Sequence, residues 1–266
     1  MFAVSATSND NAVYAVDDMN AGGRNVGTLL QYDGLNRLIA TLQDHTGTAA
    51  TLNTTTQYTY DTRDNLRSVT DPDSVPTTYG YEGLNNLTSL TSRDTGPTIY
   101  SYDATGNRKT MLDARGVTVS YSYDALNCLT DVSYPTGTLN VHYGYDEADS
   151  VTGCSGSYPQ GRLTSMQDYS SGRTTFCYDR RGNVTVKANA YSGTLRYGYT
   201  LADRLASLTY PNGDQVSYGR DSVGRVSSVS YLPSGGATIP LLDGVDYYPF
   251  GPVKLVTFHN GRKLSM

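Results

Sequence analysis

Carboxylates are the residues of this sequence best equipped for chemistry, and six of them share one setting. Asp61, Asp103, Asp124, Asp146, Asp179 and Asp221 directly follow Tyr60, Tyr102, Tyr123, Tyr145, Tyr178 and Arg220. Two carboxylates about 5–9 Å apart are the machinery of glycoside hydrolysis. That reaction needs one odd pair in a pocket, and none stands out. An acid that returns in every unit instead holds a turn, by accepting backbone N–H groups a few residues further on. The histidines His45, His142 and His259 fall in a spacer, a strand and a turn. Ser and Asp are frequent enough here for Ser-His-Asp triplets to arise by chance, and a triad is defined by geometry. The expectation is a chain with no catalytic residues, no metal and no cofactor.

Cys128, Cys154 and Cys177 lack the CxxC spacing of a zinc site. Cys154 lies in a Gly/Ser-rich stretch and Cys177 in an expected strand. Two readings stay open: a disulfide that pins the stretch down in an exported protein, or ordinary free thiols. Cys128 occupies a hairpin position filled elsewhere by Asn or Arg and reads as incidental.

These residues are positioned by a repeated phrase. Tyr58-Thr59-Tyr60-Asp61, Tyr79-Gly80-Tyr81-Glu82, Tyr100-Ser101-Tyr102-Asp103 and Tyr121-Ser122-Tyr123-Asp124 follow one another every 21 residues, which marks one supersecondary unit copied along the chain. Within a copy, the two tyrosines share a strand face. Four residues after the second come Asp64, Asn85, Gly106 and Asn127, types that tolerate positive φ. Six residues after it come Leu66, Leu87, Arg108 and Leu129, which open a second strand. The expected unit is a β-hairpin. Its second-strand apolar pairs, Leu66/Val69 and Leu87/Leu90, are spaced by three, and a bulge would bring both members to one face. Pro211-Asn212-Gly213, Pro135-Thr136-Gly137 and His259-Asn260-Gly261 supply turns between units.

Composition agrees with a thin sheet. Among 266 residues there are 24 tyrosines, 4 phenylalanines and no tryptophan. Tyr buries a ring while its hydroxyl stays wet or bonded. The net charge of −5 comes with no basic run, so the footprint of nucleic-acid binding is missing. No apolar stretch is long enough for a membrane helix, and Met1–Val13 lacks the pattern of a secretory signal.

In chain order, residues 1–29 are a polar lead-in or a degenerate repeat, and 30–266 form the array. A first copy holds Leu30, Tyr32-Asp33, Asn36 and Leu38, followed by a Thr-rich spacer, Thr41 to Gln57. The series continues through Tyr143, Tyr145-Asp146, Asp149 and Val151, with an insertion at about 152–160. Copies return at Tyr178-Asp179, Tyr199 and Arg220-Asp221. The array stops in mid-phrase, which would leave a bare strand edge, so a longer functional protein is expected, truncated here at both ends.

Nine Tyr-Asp-like positions in register, followed by Gly or Asn, then Leu or Arg, then Asn-Gly, resemble the YD-repeat or Rhs-repeat family over roughly residues 30–266. Glu82, Thr200 and Arg220 depart from the dipeptide. The resemblance implies an all-β fold: a repeat array of antiparallel hairpins forming a curved, spiralling sheet, part of a hollow shell. In bacterial Rhs toxins and toxin-complex components such shells enclose a C-terminal toxin domain, and related arrays occur in surface proteins and teneurins. The implied function is a structural shell segment in bacterial competition, secreted or at the cell surface. Its partners would be further repeats and a toxin domain of the same chain, neither nucleic acid nor a membrane span. The family's self-cleaving, shell-closing segment and a toxin domain are not found in this sequence. A carbohydrate-binding surface module is the alternative, with surface glycans as partners, and a glycan-acting enzyme a distant third. The sequons at Asn53, Asn86 and Asn183 are expected to stay unmodified in a bacterial protein.

Overall fold

The computed structural model describes residues 4–6, 12–17, 26–43, 54–249 and 251–265. His45 and Asn53 lie outside the described residues. The chain divides into two units, Met1–Ser122 and Tyr123–Met266.

The first unit is an antiparallel sheet of β1 (Val4–Ala6), β2 (Ala12–Asp17), β3 (Val26–Tyr32), β4 (Leu38–Gln43), β5 (Thr54–Tyr60), β6 (Leu66–Thr70), β7 (Pro76–Tyr81), β8 (Leu87–Ser92), β9 (Gly96–Tyr102), β10 (Arg108–Leu112) and β11 (Thr118–Tyr123). From β1 to β11 each strand pairs with the next, as β4 does with β5 and β5 with β6. Three strands therefore begin within residues 1–29, and the Thr-rich spacer contributes the end of β4 and the start of β5.

The second unit holds β12 (Leu129–Ser133), β13 (Val141–Tyr145), the single-turn helix α1 (Asp149–Thr152), β14 (Leu163–Asp168), β15 (Gly172–Tyr178), β16 (Val184–Asn189), β17 (Gly193–Tyr199), β18 (Leu205–Thr209), β19 (Gln215–Arg220), β20 (Val226–Leu232), β21 (Ile239–Tyr247), β22 (Val253–Phe258) and β23 (Lys263–Ser265). It too is antiparallel from neighbour to neighbour, as in β16 to β17 and β17 to β18. The fold is all-β, a succession of antiparallel hairpins.

The expected bulge is present and explains the odd spacing of apolar residues. Tyr60 pairs with Leu66, but Thr59 pairs with Ser68, leaving Arg67 as the extra residue. The extra residue shifts the phase by one, so Leu66 and Val69 both join the face of Tyr60 and Tyr58, and Tyr58 pairs with Val69. The same arrangement sets Tyr81 opposite Leu87 and Tyr79 opposite Leu90. In the second unit it sets Tyr199 opposite Leu205 and Tyr197 opposite Leu208.

No thick core forms under these rings. Among the described residues the buried apolar side chains are Ala40, Val119, Cys154 and Cys177. A single layer can half-bury each ring against its cross-strand partner and no more, which favours Tyr over Phe.

One expected copy is laid out differently. Asp149 and Val151, placed in register with Asn36 and Leu38 by spacing, lie instead in α1, and Val151 is exposed. The hairpin after Tyr145 closes through Asp146, whose N–H bonds Arg162 O at 3.1 Å, and Tyr145 pairs with Leu163. The interruption thus runs from Glu147 to Arg162 rather than over 152–160. The physical reason is that Asp146 itself takes φ +56, and Gly153, at φ +74, ends α1 by donating to Asp149 O.

Candidate functional site

The repeated turn is the feature from which everything else is built. Asp61 N–H donates to Asn65 O at 2.9 Å, and Asp64 N–H donates back to Asp61 O at 3.2 Å. The Asp61 carboxylate accepts Arg63 N–H at 2.8 Å and Asn65 N–H at 3.0 Å on one oxygen. The same pair of bonds recurs at Asp33, Asp103, Asp124, Asp179 and Asp221. The left-handed residue follows in each: Asn36, Asp64, Asn85, Gly106, Asn127, Gly182, Asp203 and Gly224 all have positive φ.

The departures from the motif have physical substitutes. Thr200 accepts Ala202 N–H and Arg204 N–H on its hydroxyl, at 3.3 and 3.2 Å. Glu82, one methylene longer than Asp, takes the Asn86 side-chain amide at 2.5 Å. Asp146 accepts Gly161 N–H across the interruption. Cys128 fits the common pattern by donating its N–H to Asp124.

These bonds hold the carboxyls of Asp61, Asp103 and Asp179 below the usual carboxylate range. The largest cause is the Asn65 amide for Asp61, the Thr105 hydroxyl for Asp103 and the Asn183 amide for Asp179. Between β14 and β15, the Ser171 hydroxyl and N–H lower Asp168 to about 2. Each folded pKa lies below its unfolded value, so the stabilisation is complete above the unfolded pKa and disappears as pH falls through the folded one. Denaturation midpoints are therefore expected to be flat near neutrality and to decline between about pH 4 and pH 2. A midpoint that stays constant across that acid range contradicts the turn role.

In six phrases the second tyrosine reaches the hairpin before it. Tyr60 hydroxyl donates to Leu38 O at 2.8 Å, Tyr102 to Leu87 O at 2.8 Å, Tyr145 to Leu129 O at 3.1 Å and Tyr199 to Val184 O at 3.0 Å. Tyr178 does the same to Leu163 O and Tyr247 to Val226 O. The carbonyl served lies where the ladder runs out: β8 and β9 are paired only as far as Ser89–Ile99, two residues short of Leu87. A buried carbonyl without a partner is costly, and the phenol removes that cost. Arg220, which stands in a tyrosine's place, donates to Leu205 O at 2.6 Å and does the same work. Burial raises the phenol pKa at Tyr60, Tyr81, Tyr145, Tyr178 and Tyr199.

Arginines add ties from turn to turn, and sequence reading missed them. Arg37 reaches Asp61 O and the Asp64 carboxylate, at 3.2 and 2.7 Å. Arg63 reaches Gly83 O at 2.8 Å, Arg181 bonds Leu201 O, and Arg204 reaches Val223 O at 2.8 Å. Arg37 and Arg225 also lie over the rings of Tyr60 and Tyr247, 5.0 and 4.4 Å from the centroids. Each acts about 20 residues ahead, so only the period betrays the contact.

The remaining candidates stand apart from one another. Cys154 and Cys177 form a disulfide, while Cys128 is free. His142 Nδ1 meets Asp131 at 2.8 Å and His259 Nδ1 meets Asp243 at 3.0 Å, both at exposed positions. Asn183 is engaged with Asp179 and Asp203. Among the described residues no cluster of three His, Cys, Asp or Glu is placed to hold a metal. Nor is any helix among them long and apolar enough to cross a membrane.

A chain of hairpins that bond sideways and carry almost no core is a repeat protein, in which each unit is stabilised by its neighbours. The RHS Repeat profile matches residues 60–97, 83–118, 102–139 and 178–215, and these stretches are similar to that repeat family. No curated protein matches it. Its fold is similar to part of the TcdB2-TccC3 crystal structure, with TM-score 0.76, 15% identity, and 99% of this chain against 15% of that one. The TcdB2-TccC3-Cdc42 crystal structure gives TM-score 0.75 at 15% identity, again covering 99% and 15%. The Photorhabdus luminescens Tc holotoxin pore gives 0.74 at 16% identity, covering 97% and 14%. The chain thus spans about 15% of the length of the structures it resembles, and at these identities the likeness is one of fold.

Proposed function

We propose that this chain is a length of wall in a β-hairpin shell. The shell encloses a toxin domain carried further along the same polypeptide and helps deliver it in bacterial competition. The carrying observation is the direction of the bonding. Tyr60, Tyr102 and Tyr199 hydroxyls and the Arg37, Arg63 and Arg204 guanidiniums all reach an adjacent hairpin. Such a sheet grows by adding copies and needs no core of its own, which suits a wall around a cavity. The RHS Repeat matches and the fold likeness to toxin-complex structures support the same reading. In this role the wall does no catalysis and needs no cofactor, its partners are further repeats and the cargo, and it works outside the producing cell or on its surface.

The test uses the whole natural polypeptide, produced with its flanking sequence and treated with protease. The variable end is expected to survive as long as the wall is folded, and to be digested once acid or denaturant opens it. A flanking domain cleaved as fast inside the full chain as when isolated overturns encapsulation.

A further inference from the structure

The interruption between Glu147 and Arg162 lies over the sheet face opposite the tyrosines. Cys177 sits between Phe176 and Tyr178, so its side chain leaves the strand on the other face. Beneath the segment is a cleft of about 410 Å³ lined by Thr175, Thr185, Ala188, Thr194 and Arg196 together with the two cysteines. Both ends of the segment are anchored without sulfur. Glu147 accepts from Arg173 at 2.6 Å and from Thr164 at 2.8 Å, and Pro159 is buried next to the closing bond from Arg162 N–H.

Between those anchors the adhesion is thin. Tyr158 N–H donates to Tyr178 O at 3.1 Å, and Tyr178 N–H donates to Ser157 Oγ at 2.9 Å. The two large apolar residues of the span, Val151 and Tyr158, are 50% and 45% exposed, so hydrophobic contact does little to hold it down. The disulfide is its one covalent tie to β15.

We propose that the Cys154–Cys177 bridge is a redox latch: oxidised, it clamps residues 148–158 onto β15, and reduction by a dithiol lets that span lift from the cleft. A dithiol thiolate attacks one protein sulfur and displaces the other as a thiolate. The reagent's second thiol then closes a cyclic disulfide on the reagent. Two electrons pass to the protein, whose cysteines take up protons and end as two thiols. Both cysteines are buried, so attack waits for local opening of the span, which costs less than unfolding the sheet. The latch therefore responds to sustained residence in a reducing compartment. It stands whether or not the array encloses a toxin.

Hydrogen exchange with and without dithiothreitol tests it, with alkylation of the quenched samples counting thiols. Before reduction one thiol, Cys128, is expected to react, and after reduction three. Exchange over 148–158 should then rise at least about tenfold, while β5 to β10 stay unchanged. Cys154→Ser should show the raised exchange without reductant, and Cys128→Ser should not. Three thiols before reduction, no change over 148–158 after it, or an equal rise along the whole array would each overturn the latch.

Discussion

Replacing Tyr199 by alanine is expected to destabilise the second unit by about 2–4 kcal/mol, somewhat less than for a fully buried aromatic because the ring is half-exposed. Two losses add up. The ring leaves its place opposite Leu205 and beside Tyr197, and the Val184 carbonyl loses its donor. Tyr199→Phe separates them, since it keeps the ring and removes only the hydroxyl. A cost of about 1–2 kcal/mol is expected for it, the range for an orphaned half-buried carbonyl. Denaturant titration followed by circular dichroism measures both. A phenylalanine variant as stable as the parent would mean that the hydroxyl bond is idle and that tyrosine is present for its ring alone.

The second large effect separates backbone strain from packing at two glycines with the same dihedral. Gly106 and Gly224 both have φ +87, in the left-handed region where a side chain costs about 1–2 kcal/mol. A Cβ at Gly106 would meet nothing within 4 Å, whereas one at Gly224 would lie 0.7 Å from a guanidinium nitrogen of Arg204. Arg204 can move, but it then gives up its 2.8 Å bond to Val223 O. Gly106→Ala should therefore cost only the strain, and Gly224→Ala about 1 kcal/mol more for the lost tie. Equal costs in the same titration would remove Arg204 from the account.

Much of this was legible because the period repeats each local rule many times over. The Asp, the left-handed residue and the second strand are read in one copy and checked in the next. The bulge follows from Leu66 and Val69, whose spacing of three makes no sense in a flat strand. The targets of the tyrosine hydroxyls were not legible. Which carbonyl lacks a partner depends on where the bulge ends the ladder, and that is fixed only when three strands are placed together. The arginine ties were hidden for the same reason, since Arg37 and Asp64 look unrelated until adjacent turns stack. The interruption misled because Asp149 and Val151 have the types and spacing of a normal turn. Spacing cannot reveal that Asp146 has already turned the backbone or that Gly153 ends a helical turn.

The claim beneath all of this is that consecutive hairpins hold one another through the side chains of the Tyr-Asp turn. Native-state hydrogen exchange on Tyr199→Phe bears on it most directly. The account predicts faster exchange in the hairpins on both sides of the lost bond, β15–β16 and β17–β18, with β20 to β22 unaffected. Acceleration confined to β17–β18, with β15–β16 exchanging as in the parent, would contradict it.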